Sequence, residues 1–155
     1  MAYISLWKED YKSDFEKLNR EWIEGFFSKD SIEQLDLDMF SDPQGFIVDK
    51  GGQLFFVIDQ GEVLGCCALL KHSSDEFELA KLAVSPKAQG RGLASKLMEQ
   101  SLAYAKHEKA KKLVIESNTR LTSAMKLYSK FGFQEVKDYV SHYKRVNIKF
   151  EKTIN

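Results

Sequence analysis

The sequence predicts an α/β fold of the α+β type, a mixed sheet with helices packed on its faces. Three observations carry this expectation. Segments of alternating and of helical hydrophobic period follow one another in the order β-α-α-β-β-β-α-β-α-β-β. The alternation of one central strand slips by a residue midway. The 155 residues contain no repeat, no low-complexity stretch and no Pro/Gly/Ser-rich linker, so residues 1–155 read as a single domain.

Residues 3–7 (YISLW) read as the first strand. Ser13 and Glu16 have capping-box spacing, and Phe15, Leu18, Trp22, Ile23, Phe26 and Phe27 then recur at helical spacing. Ser31 and Gln34 repeat the S-x-x-Q form and open a shorter helix towards Phe40. Asp42-Pro43 ends it, because proline lacks an N–H and restricts the residue before it. Gln53–Asp59 and Glu62–Leu70 form a hairpin through Gln60-Gly61. Glu76–Val84 is the strand whose phase slips: Phe77 and Leu79 share one phase, Leu82 and Val84 the other. A one-residue slip is what a β-bulge produces, and it is placed near Ala80–Lys81. A helix follows through Leu93, Leu97, Met98, Leu102 and Ala105, and Lys112–Asn118 is a strand. Leu121, Ala124, Met125, Tyr128 and Phe131 stripe a last helix, which Gly132 caps. Phe133–Asp138 and Val146–Glu151 close the sheet.

Composition excludes several classes. Lys plus Arg and Asp plus Glu each number 23, so the chain lacks the excess of cations a nucleic-acid footprint needs. The longest run free of charge and strong polarity, Val63 to Leu70, falls well short of the roughly 20 residues of a membrane helix. The N-terminus reaches Glu9 and Asp10 before an apolar core forms, which is unlike a signal peptide. Adjacent Cys66 and Cys67 read as small buried hydrophobes of a reducing, cytoplasmic compartment. His72, His107 and His142 lack metal-ligand spacing, and no metal is expected. The zero net charge hides a polarity. Residues 1–80 carry 7 basic and 17 acidic side chains, a net of −10; residues 81–155 carry 16 and 6, a net of +10.

The densest chemical signal is Val84 to Ser95, V-S-P-K-A-Q-G-R-G-L-A-S. A strand ends, Gly90 and Gly92 allow close main-chain approach, and a helix begins. The orphan N–H groups and partial positive charge of a helix N-terminus suit a diphosphate. A phosphate-binding loop of the G-x-x-x-x-G-K-[ST] type is absent, since Ser95 stands five after Gly90. A dinucleotide fingerprint fails too: position 95 is Ser, and Glu108 and Glu116 fit the acidic requirement poorly. A glycine-rich turn without a ligand is the plain alternative.

Gln89-Gly90-Arg91-Gly92-Leu93-Ala94 resembles the Q/R-x-x-G-x-G/A motif of the GNAT superfamily of acyl-CoA N-acyltransferases. FELAKLAV, ending in Val84, is similar to that family's bulged fourth strand. Ala124-Met125-Lys126-Leu127-Tyr128 with Gly132-Phe133 is similar to its A-I-x-L-Y-x-x-x-G-F stretch. The resemblance implies a GNAT-like fold and an N-acetyltransferase using acetyl-CoA as cosubstrate. It implies that N–H groups from Gln89 through Gly90, Arg91, Gly92, Leu93 and Ala94 to Ser95 hold the pyrophosphate. It also implies that the main chain of Leu82, Ala83 and Val84 pairs with the pantetheine arm, and that Tyr128 protonates the departing thiolate. The motif places Leu121 where many members have Asn, and Asn118 stands three residues earlier.

An amine attacking a thioester needs a proton removed, an oxyanion stabilised and a thiolate protonated. A main-chain N–H near Val84 suits the second task. Glu78 lies a few residues before the bulge, where similar enzymes often place a carboxylate that acts through water, so the resemblance makes it the candidate base; Glu116 on the neighbouring strand is its rival. Both also read as solvent-facing carboxylates, and Tyr128 also reads as a core tyrosine. The acceptor is expected to be a small-molecule or peptide amine, and similar proteins are often homodimers. A CoA-binding sensor without turnover, and a diphosphate domain for another nucleotide, are the alternative readings.

Overall fold

The computed structural model describes residues 1–155. The strands are β1 (Tyr3–Leu6), β2 (Gln53–Asp59), β3 (Glu62–Lys71), β4 (Glu76–Val84), β5 (Lys112–Ser117), β6 (Gln134–Val136) and β7 (Ile148–Thr153). The α-helices are α1 (Lys12–Phe26), α2 (Gln34–Ser41), α3 (Leu93–His107) and α4 (Thr122–Lys130). All seven strands join one sheet in the order β1-β2-β3-β4-β5-β7-β6. Neighbours are antiparallel except β4 and β5, which run parallel, with α3 as the crossover that parallel pairing requires.

The expected order of strands and α-helices stands, and the differences lie at their ends. Ser13 caps nothing: a 3₁₀ turn at Glu9–Tyr11 runs straight into α1, so no open helix start remains for its hydroxyl. Ser31 lies in a second 3₁₀ turn, and α2 is capped instead by Glu33, whose own N–H donates to Asp36 Oδ2 at 2.8 Å. Beyond Asp42-Pro43 the chain makes a π-helical turn, Gln44–Val48, that buries Ile47. Strand β6 starts after Phe133, because that residue finishes the helix cap. Gly132 adopts φ 82°, its N–H donates to Ser129 O, and the Phe133 N–H donates to Tyr128 O, both at 3.0 Å. Strand β7 starts at Ile148 rather than Val146; before it the chain is held by one main-chain bond to β5, Asn147 N–H to Ser117 O at 3.0 Å, and by side chains. Asn118 Nδ2 donates to Arg145 O at 2.7 Å.

Each sheet face carries a core. Phe55, Cys67, Leu69, Phe77, Leu79 and Leu113 pack with Leu97 and Met98 of α3 and Tyr128 of α4. Leu54, Phe56, Cys66 and Ala68 pack on the other face with Phe15 and Leu18 of α1 and Phe40 of α2. Fully burying each large apolar side chain contributes about 1.5–3 kcal/mol. The two cysteines point to opposite faces, as alternation requires. Cys67 Sγ lies 3.3 Å from Ser101 Oγ of α3, and Cys66 Sγ lies 3.6 Å from Asn19 Nδ2 of α1. Burial pushes both thiols up, Cys67 to about 12, so both are protonated packing groups.

The bulge falls where the phase slips. Ala68 pairs with Ala80 and Cys66 with Ala83, so two steps on β3 meet three on β4. Lys81 takes the extra position at φ 55°, a left-handed conformation unusual for a long side chain. The added residue turns Leu82 and Val84 onto the same core as Phe77 and Leu79. The Lys81 side chain goes to the other face and ion-pairs with Asp36, which is fully buried. Arg145 grips the same carboxylate with both terminal nitrogens, at 2.6 and 3.0 Å. Glu33 accepts the N–H groups of Lys144 and Arg145 at 2.9 and 3.1 Å. The first turn of α2 thus pins both the bulge and the loop before β7.

Burial alone would raise the Asp36 carboxyl, but its hydrogen bonds to Arg145 and Lys81 and the Lys81 charge hold it below 3.8. Its contribution to stability is therefore complete above the ordinary carboxylate range and disappears as pH falls through the lowered folded value. Asp36→Asn leaves two cations without their shared counter-ion, and urea unfolding at pH 7 should show a loss of about 3–5 kcal/mol. The variant should also lack the part of the acid-induced loss that Asp36 contributes.

Candidate active site

Strands β4 and β5 pair over three residues, Glu76 to Glu78 against Lys112 to Val114. Beyond them the bulge bends β4 aside. The rest of β4 and the end of β5 part around a cavity of about 90 Å³ that passes through the sheet. Leu82, Ala124 and Tyr128 line one side of it; Trp22, Phe27, Glu78, Glu116, Tyr143 and Arg145 line the other. The parted edge of β4 carries unpaired main-chain groups. Ser85 N–H donates to Leu64 O on β3 at 2.8 Å, so strand alternation turns the polar groups of Ala83 towards β3 and those of Leu82 and Val84 towards the opening.

At the end of that edge lies the glycine loop. Gly90 and Gly92 have φ 81° and 74°, and nothing lies within 4 Å of where a Cβ would stand on either. Gly92 is the N-cap of α3 and supplies no capping side chain. The first intrahelical bond runs from Lys96 N–H to Gly92 O at 3.1 Å. The N–H groups of Gly90, Arg91, Gly92, Leu93, Ala94 and Ser95 therefore have no protein acceptor. Gln89 precedes this run, with its N–H directed to Pro86 O. Ser95 Oγ lies 3.3 Å from Lys130 Nζ, which adds a cation at the rim. Arg91 points elsewhere, pairing with Asp59 at 2.6 Å. The arrangement is an open concavity of donors reinforced by the helix dipole.

Tyr128 projects from α4 into the cavity's inner wall and is 5% exposed. Its ring packs on Phe133 and Phe150, with centroids 6.1 and 5.4 Å away. The cap at Gly132 fixes the main chain of Tyr128 and the ring of Phe133 in one motif. Burial raises the phenol to about 12, against the opposing hydrogen bond of Ser117, so it keeps its proton at neutral pH.

Glu78 and Glu116 project from β4 and β5 to the face away from Tyr128, since their neighbours Leu79 and Ile115 belong to the α3/α4 core. Each has one oxygen held. Glu78 Oε1 lies 2.6 Å from His72 Nε2, and Glu116 Oε1 accepts from Ser141 Oγ at 2.6 Å. Asn118 lines the cavity with both ends of its amide engaged, Nδ2 on Arg145 O and Oδ1 on Arg120 N–H.

Sequence reasoning missed His72, Trp22, Tyr143 and Arg145 at this site. His72 had a usable signal, since it opens the turn of a hairpin whose second strand carries Glu78. Arg145 and Tyr143 had none, because an irregular loop far along the chain delivers them.

The Acetyltransferase (GNAT) family model matches residues 7–133. The chain is 31% identical over 97 residues to the uncharacterized N-acetyltransferase YjgM of Escherichia coli (strain K12). That match covers 60% of the chain and 58% of the relative's length, so it spans little more than half of that protein. An acetyltransferase of the GNAT family from Staphylococcus aureus superimposes with a TM-score of 0.89, at 17% identity and full coverage of both chains. An aminoglycoside 6′-N-acetyltransferase complexed with coenzyme A superimposes with a TM-score of 0.74, at 12% identity, over 99% of this chain and 97% of the other. The matched family model spans most of the chain, from before α1 to the cap that follows Tyr128, and the chain belongs to the GNAT acetyltransferase family.

Proposed function

We propose that residues 1–155 form an N-acetyltransferase that moves an acetyl group from acetyl-CoA to a primary amine by direct attack within a ternary complex. The observation that carries this reading is the run of six unpartnered N–H groups from Gly90 to Ser95, at one end of an open strand edge that leads to Tyr128. A diphosphate fits the donors, and an extended amide-bearing arm fits the free main chain of Leu82 and Val84. The coenzyme A bound by the aminoglycoside enzyme of the same fold is a ligand of this shape.

The residues divide the chemistry between them. The main-chain N–H at Val84 faces the opening and suits the developing oxyanion. Tyr128, which keeps its proton in a dry wall, donates to the departing thiolate. Glu78 takes the proton of the attacking amine. Glu116, on the same face, adds negative charge to the acceptor side and favours a cationic amine. Arg145 lies over Trp22 and Tyr143, 5.5 and 5.3 Å from their ring centroids, and with Asp36 stiffens the acceptor wall.

Free-thiol release from acetyl-CoA with a panel of small-molecule and peptide amines tests the reading, and the two buried protein thiols should leave a low background. Release above background with at least one amine is expected; none across a broad panel would overturn it. Acetyl-CoA at 100 times its Kd should raise stability by about 2.7 kcal/mol, and ADP or NAD at the same concentration should raise it less. Tyr128→Phe should keep that stabilisation and lower kcat by about 100-fold or more. An unchanged kcat would place the acid elsewhere.

A further inference from the structure

We propose that His72 and Glu78 act as one proton-accepting unit: His72 positions Glu78 and passes the acceptor's proton from it to solvent. The proposal rests on the N-acetyltransferase reading above. At neutral pH a primary amine arrives as an ammonium ion. Its reaction with a thioester forms one C–N bond, breaks one C–S bond, and yields an amide, a thiol and one free proton. The neutral amine's remaining surplus proton balances the one that Tyr128 gives to sulfur, so that with the phenol reprotonated the net release is one proton. The proton lost from the ammonium ion must leave the cleft.

Glu78 cannot deliver it alone, because its side chain is 11% exposed. His72 Nε2 lies 2.6 Å from Glu78 Oε1, and the His72 side chain is 46% exposed. The pair therefore spans the distance from cavity wall to solvent. With Oε1 held by the imidazole, Glu78 Oε2 is left for the amine or an intervening water. Once Glu78 is protonated and the neutral imidazole is in its Nδ1–H tautomer, Nε2 accepts the proton from Glu78 and Nδ1 releases its own to solvent. The turn fixes the ring's starting point, since the main-chain N–H groups of His72 and Ser73 both donate to Glu76 O, at 3.0 and 3.1 Å.

The charged groups that face His72 are carboxylates: Glu78 and Glu76 from β4 and Glu116 from β5. The Glu78 hydrogen bond and these charges outweigh burial and raise the imidazole above 6.5. Glu116 has no titrating partner, because Ser141 is a hydroxyl that does not titrate in this range. The two carboxylates share a sheet face but differ in where a proton can go next.

The test is the pH profile of kcat under saturating acetyl-CoA and one fixed amine, with His72→Gln against the wild-type protein. Glutamine can hydrogen-bond Glu78 through its N–H or its carbonyl oxygen and removes the titration. The working form needs Glu78 ionised and His72 neutral, so the wild-type acid limb should lie above pH 6.5 and coincide with the His72 midpoint read by NMR. In His72→Gln the limb should move down towards the carboxylate range, with kcat on the plateau reduced about tenfold and KM for the amine little changed. In Glu78→Gln the His72 midpoint should fall, because its main anionic partner is gone. An acid limb unmoved by His72→Gln, or a His72 midpoint unmoved by Glu78→Gln, overturns the proposal and leaves the transferase reading standing. Absence of thiol release from the wild-type protein overturns both.

Discussion

The position of Lys81 governs the rest of the site. One extra residue in β4 restores Leu82 and Val84 to the core that holds Phe77 and Leu79, while bending the strand away from β5. A flat, fully paired β4 would close the gap between the two strands and leave no free edge. The left-handed backbone at Lys81 costs on the order of 1–3 kcal/mol, so something must hold it. Asp36 does so through the side chain, and it holds Arg145 at the same time. The opening of the sheet, the closing of the acceptor wall and the capping of α2 therefore depend on one buried carboxylate. A site built this way is rigid at its base and open at its edge, which suits an extended ligand laid along a strand.

That carboxylate also changes what the charge distribution means. The acidic first half and basic second half do not map onto two sides of the site. Lys81 and Arg145, from the basic half, are consumed by Asp36 and Glu33 of the acidic half, on the acceptor side. Arg91, from the glycine loop, answers Asp59. The cations beside the donors of α3 are fewer than the sequence count suggests, with Lys130 at the rim. The unpartnered main-chain N–H groups of Gly90 to Ser95 are therefore the chief donors an anion would meet there. On the acceptor side the cationic cluster is self-neutralised, and Glu116 is the carboxylate whose polar partner carries no charge.

Much of this was legible in the sequence because its causes are local. The phase slip of β4, the two glycines before α3 and the Gly132 cap after Tyr128 are each written within a few residues. They were found at Lys81, at Gly90 and Gly92, and at Gly132. Helix starts were less legible. Ser13 and Ser31 have the right spacing, yet 3₁₀ turns took those positions and Glu33 capped α2. The buried cluster could not be read at all, since its members are 45 and 109 residues apart and pair only when the sheet brings α2 under the bulge. His72 and Glu78 are only six apart, but their contact follows from the hairpin register that sets Leu70 against Glu78.

The parted strands also separate the proposed acid from the proposed base. Tyr128 approaches the cavity from the α4 face, and Glu78 from the α1 face. Were both on one face within hydrogen-bond reach, the phenol would donate to the carboxylate. The acid's proton and the base's lone pair would then be spent on each other before any substrate arrived. Opposite faces of a paired sheet would keep them apart but also out of reach of a common atom. A cavity through the sheet meets both demands. It lets a reacting carbon sit between strands, with its leaving group on the side of Tyr128 and its nucleophile on the side of Glu78. Each group can then have its own surroundings: a dry aromatic wall that keeps the phenol protonated, and an imidazole at the solvent edge 2.6 Å from the carboxylate. The bulge is thus the feature that brings Tyr128 and Glu78 to one cavity from opposite faces of the sheet.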